Sequence, residues 1–291
     1  MKKKSSKIDG KTLFTDYYSS YFGERWVNIE KSFANASDYR IFRNEAGEEY
    51  YIDSASVVAA AALPLEKAEY ILDLCAAPGG KSLVLADRMP ENALLVSNEK
   101  SKNRYCRLKK VLQDFLPESV YQRITVTNHD AAKWCQYENE CEKYDAILID
   151  APCSSEKHVY NDESYLKLWT PARIRNLAMI QWSILSSGFL LLKENGYLVY
   201  STCALTDAEN DAVVARLLKK YKSASLVEFN EDCLNTLALQ NSQNMTENRK
   251  LRPELYSNLP HPEKTEYGYQ IMPDLCNNSG PIYFSIIKKL D

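Results

Sequence analysis

The 291-residue sequence predicts an α/β protein built on a mostly parallel sheet, and three observations carry that prediction. Short apolar runs recur at 70–74, 94–97, 124–127, 146–149 and 197–200, each of a length that suits a buried strand. Helical patterns at 82–88, 102–115 and 171–192 lie between them, and strands alternating with helices make βαβ units. Carboxyl and thiol side chains then arrive in order just after these runs. In parallel sheets, ligands bind beyond the carboxyl ends of the strands.

The elements follow in order. Residues 1–12 are polar and read as disordered. Phe14, Tyr17, Tyr18, Tyr21, Phe22, Trp26 and Phe33 recur at a spacing that suits short amphipathic helices packed on something larger. Residues 53–64 open with cap-type side chains and continue as a small-residue helix ending at Pro64. In the helix over 102–115, Tyr105, Leu108, Leu112 and Phe115 share one face, with Lys102, Lys109 and Lys110 elsewhere. A helix over 209–221 leads to a strand over 225–229. Residues 233–265, rich in Asn, Gln and Pro, read as a long irregular excursion with a substrate-facing role. Runs at 268–272 and 281–288 around Asn-Asn-Ser-Gly read as a closing antiparallel hairpin. The division is a small helical N-terminal extension over 1–62 and a core over 63–291.

Composition narrows the class. No run of about 18 apolar residues is present, so no membrane span is expected, and the basic start lacks the apolar stretch of a signal peptide. The cytoplasm is the expected compartment, with reduced thiols. The eight cysteines form no Cys-x-x-Cys pair, so neither a disulfide framework nor a metal site is indicated. Cys106, Cys135, Cys141, Cys233 and Cys276 read as small buried hydrophobes, and His129, His158 and His261 as surface or loop residues. The formal net charge of −3 lacks the basic excess of most nucleic-acid binders. Any such site must be a local patch, for which Lys2 to Lys7 and Lys100 to Lys110 are the candidates. A tail and a solvated helix face are the plainer alternative.

The first strand runs into Cys75, Ala76, Ala77, Pro78, Gly79, Gly80 and Lys81, a small-residue turn that lets backbone amides approach a ligand. A phosphate loop would need glycine where Cys75 stands. Strand two ends at Asn98-Glu99 and strand three at His129-Asp130. Strand four ends at Asp150-Ala-Pro-Cys153, and strand five at Ser201-Thr-Cys203. An acid after strand two commonly takes the ribose hydroxyls of a nucleoside.

In Asp73-Leu-Cys-Ala-Ala-Pro-Gly-Gly-Lys81, Asp150-Ala-Pro-Cys-Ser154 and Ser201-Thr-Cys203, the sequence resembles the Sun/Fmu-type RNA cytosine-5 methyltransferases, and Glu209-Asn210 also matches. The resemblance covers about residues 50 to 290, and the aromatic start is similar to short single-domain members acting on tRNA or ribosomal RNA, which makes the 1–62 extension a candidate RNA-contacting segment and 63–291 the catalytic domain. It implies a Rossmann-like fold that binds S-adenosylmethionine along Cys75 to Lys81, with Glu99 on the ribose, Asp130 near the adenine and Asp150 by the methionine end and the target base. It implies Cys203 as nucleophile and Cys153 as the helper in product release. Where the family has glycine after Pro-Cys-Ser, this chain has Ser155, followed by Glu156.

The chemistry explains the residue types. Carbon-5 of cytosine is a poor nucleophile until a thiolate adds to carbon-6, and an acid near ring nitrogen-3, for which Asp150 is the candidate, stabilises the resulting charge. A DNA cytosine-5 methyltransferase would instead use the Pro-Cys thiol, Cys153, as nucleophile. A non-catalytic RNA-binding or assembly factor would retain the fold without turnover. The expected partner is ribosomal or transfer RNA, with a protein or ribonucleoprotein partner compensating for the low positive charge, and a monomer is the favoured state.

Overall fold

A computed structural model describes residues 9–239 and 252–291. The chain opens with α1 (Gly10–Phe22), capped by the Asp9 carboxylate, which accepts from the Lys11 and Thr12 amides at 2.8 and 3.0 Å. Residues 10–12 are thus helical rather than disordered; the rest of the expected tail and the patch Lys2 to Lys7 lie outside the described residues. Next come α2 (Trp26–Phe33), a hairpin of β1 (Tyr39–Arg43) and β2 (Glu49–Asp53), and α3 (Ser54–Ala61), which Asp53 caps. The β1–β2 hairpin carries no alternating apolar pattern long enough to announce it in the sequence.

The core then alternates: β3 (Tyr70–Asp73), α4 (Gly80–Arg88), β4 (Leu94–Asn98), α5 (Lys102–Phe115), α6 (Glu118–Tyr121), β5 (Ile124–Thr127), β6 (Tyr144–Asp150). It continues through α7 (Glu156–Asn161), α8 (Glu163–Lys167), α9 (Pro171–Leu191), β7 (Leu192–Thr202) and α10 (Asp211–Lys220). The remaining elements are β8 (Ala224–Val227), α11 (Asp232–Leu239), α12 (Pro253–Tyr256), β9 (Glu263–Lys264), β10 (Tyr269–Ile271) and β11 (Ile282–Lys289). Residues 233–265 are therefore partly helical: α11 and α12 pack against each other, and Leu255 and Tyr256 are buried.

The sheet order is β5-β4-β3-β6-β7-β11-β10-β9, with β8 also paired to β11. The pairs from β5 to β7 are parallel, while β11 joins β7, β10 and β8 antiparallel. This is the α/β fold with a mostly parallel sheet and a C-terminal antiparallel hairpin that the sequence predicts. The strands β3 and β6 are buried almost throughout, as strands covered by helices on both faces must be.

The N-terminal helices do not stand apart. Phe14, Tyr18, Trp26, Ile29 and Phe33 form a continuous core with Val159, Leu166, Trp169 and Ile174 of the segment after β6, and with Leu205 and Met272. The Phe14 and Trp169 rings meet edge-on at 5.1 Å, a geometry aromatic quadrupoles favour.

Candidate active site

The strand order reverses between β3 and β6: β4 and β5 lie to one side of β3, and β6 and β7 to the other. Loops leaving adjacent strand ends diverge at such a point and open a crevice. A cleft of about 1260 Å³ lies there, and its walls include Cys75, Lys81, Glu99, Asp130, Asp150, Cys153 and Cys203. Ends of five strands, separate in sequence, thus converge on one space.

The turn after β3 is fixed from beneath. Asp73 is fully buried, accepts from the Ser82 hydroxyl at 2.6 Å, and burial pushes its carboxyl up to about 7. Gly79 has φ +122°, a conformation that demands glycine, and a Cβ there would also crowd the Val111 side chain of α5 at 3.0 Å. Cys75 and Lys81 line the cleft, and Ala76, Ala77, Pro78, Gly79 and Gly80 form the turn between them. Burial holds the Cys75 thiol well above its usual range, which fits a packing role.

Lys81 Nζ donates to Asp150 Oδ2 at 2.8 Å and to the Ser56 hydroxyl at 3.2 Å. Burial works against the charge on Lys81, but the Asp150 carboxylate beside it more than offsets this and holds the ammonium above its usual range. On the opposite wall, the buried Glu99 carboxylate accepts from the Ser101 amide at 2.7 Å and lies 3.3 Å from the Arg104 guanidinium. Asp130 accepts from Lys100 Nζ at 2.8 Å, a contact that holds its carboxyl below the usual range.

The two thiols are neighbours. Cys153 Sγ and Cys203 Sγ are 2.8 Å apart, and the Cys203 amide donates to Cys153 Sγ at 3.3 Å. Both are free, with Cys153 buried and Cys203 partly exposed. The bond with Cys203, together with burial, drives the Cys153 thiol well above its usual range. Cys153 therefore keeps its proton, and the accessible sulfur is that of Cys203. Ser155 sits at φ +54°, the left-handed region, which explains why a related sequence would place glycine there. Its hydroxyl lies 3.3 Å from Cys203 Sγ and 3.4 Å from Cys153 Sγ, so the substitution adds a polar group against both thiols.

The chain also brings in residues that sequence reasoning passed over. Ser56 reaches the cleft from α3, and Arg104 from α5. His158, read as a loop histidine, stands on the rim in α7 with its ring 5.5 Å from that of Tyr165. Cys106, read as buried, is exposed on α5, and the Cys233 side chain lies outside the described residues. No motif marks Ser56, which reaches the site from α3 through tertiary packing, whereas His158 is carried there by α7, directly after the Pro-Cys-Ser segment.

A family model described as 16S rRNA methyltransferase RsmB/F matches residues 60–269. The chain belongs to the RsmB/F methyltransferase family. Among curated RsmB/F-like relatives, it is 32% identical over 240 residues to the 5-cytosine rRNA methyltransferase NSUN4 of Bos taurus, covering 81% of this chain and 58% of that one. It is 30% identical over 243 residues to the mitochondrial tRNA (cytosine(34)-C(5))-methyltransferase of Danio rerio, covering 83% and 60%. The chain thus spans about three fifths of the length of these relatives. In fold it is similar to a methyltransferase homologue from Pyrococcus horikoshii, with a TM-score of 0.66 and 19% identity over 96% of this chain and 95% of that one.

Proposed function

We propose that this RsmB/F family member transfers a methyl group from S-adenosylmethionine to carbon-5 of a cytosine in ribosomal or transfer RNA, through a covalent bond between Cys203 and the base. The observation that carries the reading is the pair of thiols, 2.8 Å apart, in a cleft that also holds the carboxylates at the ends of β4, β5 and β6. Names of relatives that act on cytosine of rRNA and tRNA support the substrate class.

The residues fit the cofactor. Glu99 and Asp130 end adjacent strands on one side of the switch point and offer carboxylate oxygens to ribose hydroxyls and adenine; Lys81 and Asp150 lie on the other side, toward the thiols. When bound, S-adenosylmethionine supplies an electrophilic methyl. Cys203 adds to carbon-6 of the base, and Asp150, hydrogen-bonded to the Lys81 ammonium, relays a proton from Lys81 to ring nitrogen-3, where negative charge accumulates. After methylation the carbon-5 proton is lost to water, the bond between Cys203 and carbon-6 breaks, the nitrogen-3 proton returns to Asp150, and Cys153, which holds its proton beside Cys203, donates to the departing sulfur. Free thiols fit a reducing compartment, so we place the protein in the cytoplasm, with a protein or ribonucleoprotein partner as a source of RNA affinity. No described helix is long and apolar enough to cross a membrane. Bisulfite sequencing of rRNA and tRNA from cells with and without the gene tests the proposal: a cytosine that loses its mark supports it, and identical maps overturn it.

Two further outcomes follow. Glu99→Ala is expected to weaken S-adenosylmethionine binding by about 1.5–3 kcal/mol, the scale of a charge-assisted hydrogen bond; unchanged affinity by calorimetry, with the fold intact, would remove Glu99 from the cofactor site. Lys102, Lys109 and Lys110 are exposed on α5, which packs over the cofactor turn, and form no ion pair among the described residues. Neutralising all three is expected to reduce the salt dependence of RNA binding by up to about three phosphate contacts. An unaltered slope would mark them as a solvated face.

A further inference from the structure

Two buried carboxylates meet one hydroxyl behind the catalytic thiols. Glu156 and Glu209 are both fully buried. The Ser154 hydroxyl lies 2.5 Å from Glu156 Oε1 and within hydrogen-bond contact of Glu209 Oε2. A hydroxyl has one proton, so it can donate to only one of the two. The second contact is a bond only if the other carboxyl carries a proton and donates it to Ser154 Oγ.

The surrounding donors decide which. Glu156 receives the Tyr18 hydroxyl at 2.6 Å on Oε1 and the Leu205 amide at 3.3 Å on Oε2. Glu209 receives the Ser154 amide at 2.9 Å and Gln181 Nε2 at 2.8 Å, both on Oε1, which leaves Oε2 without any donor except the shared contact. With the charge on Glu156 and the proton on Glu209 Oε2, every one of these contacts is satisfied. We propose that Glu209 holds a proton through which Glu209, Ser154 and Glu156 form one chain of hydrogen bonds, and that this chain makes both glutamates positioning residues for the loop presenting Cys153 and Ser155 to Cys203. This inference rests on the cysteine chemistry proposed above.

Burial, followed by the charge of Glu156, pushes the Glu209 carboxyl up to about 7, and burial raises Glu156 also. The other titratable groups facing the pair are Tyr17 and Tyr18 from α1, Tyr200 from β7 and Cys153 from the loop. Burial raises the three phenols, and the Cys203 contact with burial raises the thiol, so all four stay neutral where Glu209 titrates. The Arg175 cation on α9 acts on Tyr17. Above about pH 7 the pair becomes two facing carboxylates, and the loop between them loses a hydrogen bond.

The test compares the wild type with Glu209→Gln, whose side-chain N–H replaces the shared proton permanently, and Glu209→Ala, which leaves the serine facing a void. Methyl transfer to an RNA transcript is followed as kcat and KM against pH. The wild-type kcat is expected to fall on the alkaline side of neutrality and Glu209→Gln to lose that fall, while Glu209→Ala lowers kcat about tenfold with little change in KM, the scale of one unpartnered buried group. An alkaline limb common to the wild type and Glu209→Gln, or absent from both, would overturn the proposal. Thermal unfolding gives a reading that needs no turnover. Glu209 keeps its proton in the folded chain to about pH 7 but releases it near 4.5 when unfolded, so wild-type stability falls relative to Glu209→Gln between those values and runs parallel above them. A constant difference across that window would overturn the proton assignment even if no RNA is methylated; the expected fall without methyl transfer would instead sink the RNA reading alone.

Discussion

Cys203→Ala is expected to abolish methyl transfer, by at least about 10³-fold, and with it any covalent bond to RNA, because no other residue would supply the attacking sulfur. Cys153→Ala is expected to behave differently. Attack and methylation remain open to Cys203, but the thiol that sits 2.8 Å away and retains its proton is gone, so elimination slows and enzyme accumulates joined to its product. On a denaturing gel, Cys153→Ala should run as an RNA adduct, and Cys203→Ala and the double variant should not. The geometry sharpens the contrast: Cys203 is the partly exposed sulfur and Cys153 the buried one. A DNA-type mechanism would invert the result. An adduct that survives loss of Cys203 and vanishes with Cys153 would reverse the two roles.

The second large effect belongs to the ion pair across the cleft. Lys81 and Asp150 are both mostly shielded from solvent, with side-chain exposures of 11% and 28%, so each depends on the other for compensation of its charge. Asp150→Asn is expected to slow turnover by roughly 10²–10⁴-fold, the range over which removal of a positioned proton-transfer group acts. Lys81→Met strands the carboxylate and should lower kcat/KM comparably while weakening cofactor binding less than Glu99→Ala does. Single-turnover rates alongside cofactor titrations separate the two. If Asp150→Asn turns over within fivefold of the wild type, the carboxylate holds the loop and takes no part at the base.

Much of this site was legible in the sequence because its chemistry is local to strand ends. A parallel strand buried on both faces is a continuous apolar run, so Leu148 and Ile149 announce β6 and fix where Asp150 must emerge. The ranks of Glu99, Asp130, Asp150 and Cys203 along the sheet follow from that alternation. What escaped was contact made across the fold. Nothing near Tyr18 in sequence indicates that its hydroxyl reaches Glu156, 138 residues on, and Ser56 lies on a helix whose pattern speaks only of packing. The departure after Ser154 was visible, but its meaning was not: only the backbone shows that Ser155 occupies a left-handed turn and that Glu156 folds back beneath it. The small-residue turn was legible as well, and the structure places its two ends, Cys75 and Lys81, on the cleft wall.

The aromatic layer has a consequence for how the molecule is made. Phe14, Tyr18 and Trp26 leave the ribosome long before their partners Trp169, Leu205 and Met272. A nascent chain can build the parallel strands in order as they emerge. It cannot yet give Glu156 its phenol donor or close the core in which that donor sits. Until synthesis has passed Met272, these helices lack part of the core that covers their apolar rings. A translation product truncated before Leu205 therefore carries the motifs through Cys203 without all of the core that supports them.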